Sequence, residues 1–144
     1  MPAPDIAALV VRLYEAIHND HDLAVIDKSI SPDVVSRWSG LPEMHGRAEL
    51  QAAFAADLQG FPDHRMDLDQ IVVQGDVAAS RWTYRGTHTG DYYGIPPTGR
   101  AIVSLVVAFD RIVDGALIEN CVVFDNYDVM QQLGIVPAAD AVLA

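Results

Sequence analysis

The sequence predicts a single α+β domain, and two observations favour that class. In the first half of the chain, apolar residues recur at the three- and four-residue intervals typical of helices. The second half holds four long segments rich in β-branched and aromatic residues, joined in pairs by tight glycine turns. Helices followed by a run of strands is the element order of an α+β fold, in which helices cover one face of an antiparallel sheet.

The helices follow from periodicity and end signals. Residues 5–19 place a row of aliphatic side chains on one face, and Asp5 precedes them as a candidate N-cap. A shorter helix is predicted over residues 22–29 and a third over 47–58. A last short helix ends near Gly134, because glycine suits the position just after a helix.

The strands follow from their bounding turns. A short strand is predicted over residues 34–38, before the first long one. Gly75 and Gly115 each close a hairpin, since glycine adopts positive φ at low cost. The four long strands are predicted over residues 64–74, 77–88, 100–112 and 116–126.

Length and charge limit the possible functions. The 144 residues suit one domain, which we assign to residues 1–136, with an alanine-rich tail at 137–144. Neither a signal peptide nor 18 consecutive apolar residues occurs, so we expect a cytoplasmic protein. The net charge of −11 opposes binding to nucleic acid or to an anionic membrane. We expect no metal and no cofactor, because no ligand set or nucleotide fingerprint has suitable spacing.

A long loop between the second and third long strands is the most unusual segment. It is rich in glycine, proline and tyrosine, and a loop of this length in a compact domain is usually functional. Tyr92 and Tyr93 are positioned to form a lid that excludes water. His88, at the start of the loop, either contacts a ligand or organises the turn at 86–90.

Three short motifs carry a family resemblance. They are GTHTG at 86–90 with GIPPTG at 94–99, FD at 124–125 ahead of QQLG at 131–134, and FPD at 61–63. Together they resemble the SnoaL-like polyketide cyclase family, a branch of the nuclear-transport-factor-2-like folds. The resemblance implies a curved antiparallel sheet wrapped around helices as a cone, with a deep apolar pocket. It also implies a homodimer formed sheet to sheet, which the apolar run at 102–109 favours.

The candidate catalytic residues are Asp125, Asn120 and Arg37. Asp125 ends an apolar strand, where a carboxylate is costly to bury unless it is paired or used. The resemblance implies that it is the catalytic acid or base, whereas its alternative role is to cap the last helix. Asn120 would assist Asp125. Arg37 either points inward to hold an anionic oxygen or forms a surface ion pair.

Aromatic side chains are the candidate binding residues. Trp82 and Tyr84 share one face of their strand, and Trp38 and Phe124 end two others. On the inner face of a cone they would stack on a flat polycyclic ligand, and the alternative is ordinary core or dimer packing.

The function predicted is cofactor-independent hydroxylation of an anthracycline-type aromatic polyketide, in antibiotic biosynthesis. Typical cyclases of the family carry proton-handling side chains where this chain has Ala108 and Asn120. The resemblance extends to metal- and flavin-free hydroxylases, and a separate reductase would supply the reduced substrate. Two alternatives stay open: a cyclase that closes a ring by intramolecular aldol condensation, and a non-enzymatic, dimeric small-molecule-binding module.

Overall fold

A computed structural model describes residues 5–139 of the chain. The described residues form four helices and six strands in an α+β order, with three of the helices before the four long strands. A π-helical segment, Glu15–Asn19, extends the first helix. The helices are α1 (Ile6–Tyr14), α2 (Val25–Ser29), α3 (Arg47–Gly60) and α4 (Asn126–Gln132). The strands are β1 (Ile30–Trp38), β2 (Met44–His45), β3 (Arg65–Gln74), β4 (Val77–Thr87), β5 (Ala101–Val113) and β6 (Ala116–Phe124).

The strands form one open, curved sheet in the order β2-β1-β6-β5-β4-β3, with the helices on its inner side. This confirms the α+β class and the curved sheet. The sheet is antiparallel except at one place, since β1 runs parallel to β6. The division of the chain at residue 136 stays a prediction, and residues 140–144 of the tail lie outside the described part.

The two faces of the sheet differ sharply in burial. Along β5, Ile102, Val106 and Ala108 are buried, whereas Val103 and Phe109 on the other face are about half exposed. The run at 102–109 therefore alternates in the single chain, contrary to the expectation that both of its faces are buried. The exposed face is nevertheless apolar, and a second copy of the chain could cover it, so the sheet-to-sheet homodimer stays a prediction.

Helix α1 packs on the sheet at the narrow end of the cone. It begins as predicted, because the Asp5 side chain accepts a hydrogen bond from the Ala8 backbone N–H at 3.1 Å. Tyr14, in its last turn, stacks on Trp82 of β4 with ring centroids 4.8 Å apart. None of the helices in the described residues is long and apolar enough to cross a membrane.

The long loop after β4 is held against the end of α3. Gly60 O accepts hydrogen bonds from the backbone N–H groups of Thr89 and Gly90, both at 3.2 Å. A methyl group on Gly90 would overlap the carbonyl oxygen of Gln59, so only glycine allows this approach. The loop is thereby placed over the open end of the cone.

Candidate active site

A cavity with an outer and an inner part lies between the sheet, the helices and the loop. The outer part has a volume of about 340 Å³, within the range of small-molecule sites, and the inner part about 20 Å³. Trp38 and Phe124 line both parts, so the two parts adjoin at these two rings. The loop tyrosines, Tyr92 and Tyr93, form one wall of the outer part.

Asp57 is the carboxyl group that faces the outer cavity. It lies on the buried side of α3, seven residues after Leu50 and three after Phe54, and its residue surface is only 4% exposed. Its Oδ2 atom has no hydrogen-bond partner among the described residues. Burial raises the pKa of Asp57 from 3.8 to about 7, because an ionised carboxylate loses its hydration there. A carboxyl group of that pKa can take or give a proton near neutral pH.

Two hydroxyl groups lie in a small recess beside Asp57. Tyr84 of β4 and Ser104 of β5 are directly opposite in the strand register, and both line this recess together with Asp57. Neither Tyr84 Oη nor Ser104 Oγ has a partner within residues 5–139. Burial raises the pKa of the Tyr84 phenol, with a further contribution from the charge of Asp57, so the phenol stays protonated. Three buried polar groups without partners in one place are uncommon in native proteins and point to a ligand.

The loop supplies an ordered aromatic wall. Tyr92 and Tyr93 pack edge to face with centroids 4.8 Å apart, and Tyr93 is 48% exposed at the rim. His88 is fully buried and anchors the loop, because its Nδ1 accepts a hydrogen bond from the Thr98 backbone N–H at 3.2 Å. It stacks on Phe61 and does not line the described cavities, which supports its role in the turn rather than ligand contact.

The narrow end of the cone holds a second buried carboxyl group, and this one is satisfied. Tyr14 Oη donates to Asp110, at 3.0 Å from Oδ2 and 3.2 Å from Oδ1. Asn120 lies beside both residues, and its Oδ1 accepts a hydrogen bond from Ser36 Oγ. Burial raises the pKa of Asp110 to about 7, although the neighbouring Tyr14 and Asn120 side chains act to lower it. Asn120 thus lies at the inner cavity, as a member of this network.

A pair of histidines lies beside this network. His18, on the π-helical segment, lines the inner cavity, and its Nδ1 lies 3.1 Å from Nε2 of His64. His64 Nδ1 is 2.9 Å from the backbone oxygen of Phe61. Burial, and then the neighbouring His64 and His21, lower the pKa of His18 to about 3. His18 is therefore neutral at neutral pH.

Two of the predicted catalytic residues lie elsewhere, which corrects their expected positions. Asp125 is exposed and is the N-cap of α4, where its Oδ1 accepts a hydrogen bond from the Asp128 N–H at 2.9 Å. The free backbone N–H groups of the helix end explain that position. Arg37 points outward from β1 and pairs with Glu43 at 2.7 Å, with half of its side chain exposed. Neither residue lines the described cavities.

The predicted aromatic residues are placed more nearly as expected. Trp38, Phe124, Tyr92 and Tyr93 line the outer cavity, and Tyr84 lines the recess. Trp82 faces inward but is core, because it packs behind Tyr14 and its Nε1 donates to Ser80 Oγ at 2.8 Å.

Five functional candidates were not predicted from the sequence: Asp57, Ser104, Asp110, Tyr14 and His18. A signal existed for the two acids, since Asp57 falls on the apolar side of a helix. Asp110 shares its strand face with Ile102 and Val106, and an acid on an apolar face marks a functional candidate. Within the described residues, no three His, Cys, Asp or Glu side chains are grouped closely enough to bind a metal ion.

Comparison with known proteins places this geometry in a family. The sequence profile described as SnoaL-like polyketide cyclase matches residues 8–133. The chain belongs to the SnoaL-like polyketide cyclase family. No curated protein sequence gives a significant match.

Several solved structures resemble the chain. AclR from Streptomyces galilaeus, a candidate hydroxylase, is 30% identical with a TM-score of 0.82 over 92% of this chain and 98% of its own. IdmH from Streptomyces antibioticus, a candidate polyketide cyclase, is also 30% identical, with a TM-score of 0.80 over 91% and 99%. A candidate SnoaL-like cyclase from Jannaschia sp. CCS1 is 22% identical with a TM-score of 0.85 over 95% and 99%, and shows the same fold. The family supports a role in polyketide tailoring.

Proposed function

We propose that this protein hydroxylates an aromatic, anthracycline-type polyketide without a cofactor, with Asp57 as the general base. The observation that carries the proposal is the buried Asp57 carboxyl group, which faces a cavity of about 340 Å³ and has an oxygen with no partner among the described residues. A single carboxyl group without a hydrogen-bond partner suits a reaction in which one proton is removed from the substrate. The similarity to AclR, a candidate hydroxylase, supports hydroxylation as the reaction.

The reaction needs no external redox group if the substrate is a dihydroquinone. Ionised Asp57 takes a phenolic proton, which makes the ring electron-rich enough to react with dioxygen. One oxygen atom enters the ring as a hydroxyl group and the other leaves as water, while the dihydroquinone is oxidised to the quinone. The Tyr84 and Ser104 hydroxyl groups donate hydrogen bonds to the ring oxygen that becomes negative. A separate reductase would supply the dihydroquinone.

Aldol cyclisation is the second candidate, and the same three groups favour it. Asp57 would remove a proton from carbon and return it to the alkoxide after ring closure, and Tyr84 would hold the enolate oxygen. The similarity to IdmH, at the same identity as AclR, supports this alternative. A non-enzymatic binding module would use the cavity and leave Asp57 without a chemical role.

The predicted homodimer is also part of this proposal. The outer face of the sheet carries exposed apolar side chains, among them Val103, Leu105, Phe109 and Val123, each about half exposed. A second copy of the chain, packed face to face, would remove them from water.

Two incubations analysed by mass spectrometry separate the candidates. A chemically reduced anthracycline-type quinone is supplied in air, and an uncyclised anthraquinone precursor ester is supplied under nitrogen. A gain of one oxygen that depends on the protein identifies a hydroxylase, and a product of unchanged mass with a new retention time identifies a cyclase. We expect Asp57→Asn to abolish the reaction and Asp125→Asn to retain it. Full activity of Asp57→Asn would remove the central claim, and no product in either arm would favour the binding module.

A further inference from the structure

The hydrogen bonds around His64 determine which ring nitrogens carry protons. The backbone oxygen of Phe61 only accepts, so His64 Nδ1, 2.9 Å away, is the donor. In a neutral ring this leaves His64 Nε2 with a lone pair. His18 Nδ1, 3.1 Å from that atom, must then carry the proton. His18 Nε2 therefore has a lone pair and no proton.

His18 Nε2 is an acceptor that no described residue uses. Its ring lines the inner cavity, and its only hydrogen bond within residues 5–139 is the one from Nδ1 to His64. Three other polar side chains at this end already have partners, because Tyr14 donates to Asp110 and Asn120 accepts from Ser36. The His18 ring is 95% buried and lines this cavity, so a ligand group or a water in the cavity can be the partner of Nε2.

The size and remaining lining of the inner cavity restrict what can satisfy it. About 20 Å³ admits one group of the size of a water molecule or a hydroxyl. Trp38 lines the same cavity, and its Nε1–H has no partner in the described part of the chain. A hydroxyl group both donates and accepts, whereas a carbonyl oxygen has no proton to give His18. A carboxylate also has no proton to donate, and its negative charge would face the lone pair of His18 Nε2 in an otherwise apolar cavity.

We propose that the inner cavity is a subsite for one hydroxyl group at the edge of an aromatic ligand. This hydroxyl group donates a hydrogen bond to His18 Nε2. The ring that carries this hydroxyl packs against Trp38 and Phe124, the two residues common to both parts of the cavity. His64 is a positioning residue, since it fixes the proton of His18 on Nδ1. The inference rests on the proposed function for its ligand class, a hydroxylated aromatic polyketide.

Nitrogen NMR of the histidine rings tests the first step on the unaltered protein. Long-range proton–nitrogen spectra distinguish the two neutral forms of each ring. We expect both His18 and His64 in the form protonated at Nδ1, and a shift of the His18 Nε2 resonance when 2-naphthol is added. Finding His18 protonated at Nε2 would overturn the inference, because the cavity would then offer a donor.

A pair of matched ligands tests the selectivity. Dissociation constants for 2-naphthol and 2-methoxynaphthalene are measured by fluorescence under nitrogen, so that no reaction takes place. We expect the wild type to bind 2-naphthol about tenfold more tightly, because the ether has no hydroxyl proton to donate in a hydrogen bond to His18 Nε2. His18→Phe should bind the two ligands equally, whereas the control His45→Phe, altered at an exposed histidine, should keep the preference.

The outcomes separate this inference from the proposed function. Equal affinities for the two ligands in the wild type would overturn the hydroxyl subsite even if a polyketide product forms. A tenfold preference that disappears in His18→Phe supports the subsite even if neither incubation described above gives a product.

Discussion

Replacing Asp57 by asparagine should stabilise the protein increasingly as the pH rises. In the folded state the pKa of Asp57 is about 7, compared with 3.8 for an ordinary aspartate. Between these values the folded protein holds a proton that the unfolded chain has lost, so stability falls as the pH rises toward 7 and is level above it. The full difference corresponds to about 4 kcal/mol, of which about 3 kcal/mol falls between pH 5 and pH 8. Asparagine has no such dependence.

Urea unfolding of both proteins at pH 5, 6, 7 and 8 measures this effect. The stability of Asp57→Asn minus that of the wild type should increase by about 3 kcal/mol across the series, and other ionisable groups cancel in the difference. Asp63→Asn is the control, because a hydrogen bond from the Thr87 backbone N–H lowers the pKa of this exposed carboxyl. Asp63 is ionised in both states throughout the series, so its difference should stay level. A level difference for Asp57→Asn would refute the assignment of a buried, unpartnered carboxyl.

The remaining predictions concern other residues at the cavity, and Arg37 and Asp125, which lie outside it. Tyr84→Phe should leave stability in urea unchanged within about 1 kcal/mol and lower kcat about 10²-fold, because it removes only a buried donor without a partner. Gly90→Ala should lower stability by about 1–3 kcal/mol and raise KM, since its methyl group displaces the loop from α3. Arg37→Ala should change stability by less than about 0.5 kcal/mol and keep full turnover, because the ion pair is exposed. Asp125→Ala should cost about 1 kcal/mol as a lost cap, with turnover retained.

The sequence predicts the fold well because the relevant signals are local. The row of aliphatic residues in α1, the glycines of the two hairpins and the apolar strands each act within a few residues, and all appear where expected. The parallel pairing of β1 with β6 was not predicted, since it joins residues about 85 positions apart and leaves no local pattern. The family motifs mark turns and a helix cap. They therefore identify the fold, but they do not identify the catalytic base.

The site was harder to predict because polar residues have two uses at strand and helix ends. Asp125 follows an apolar strand, which suits a buried acid, yet it also precedes a helix, and the backbone N–H groups there provide the nearer partner. Asp57 was overlooked because α3 is only weakly amphipathic, with acids on several sides. Its burial depends on β4, β5 and the loop, which approach it from distant parts of the chain.

The two buried acids divide structural and chemical roles between them. Asp110 accepts a hydrogen bond from Tyr14, and a carboxyl group satisfied in this way fixes the narrow end of the cone. Asp57 has an oxygen with no partner in the described residues, so it lowers stability at neutral pH without holding the fold together. A group that costs stability and faces a cavity is explained when a ligand supplies the missing partner. The difference in hydrogen bonding, rather than the similar pKa values, therefore supports the proposal that Asp57 is the reactive acid.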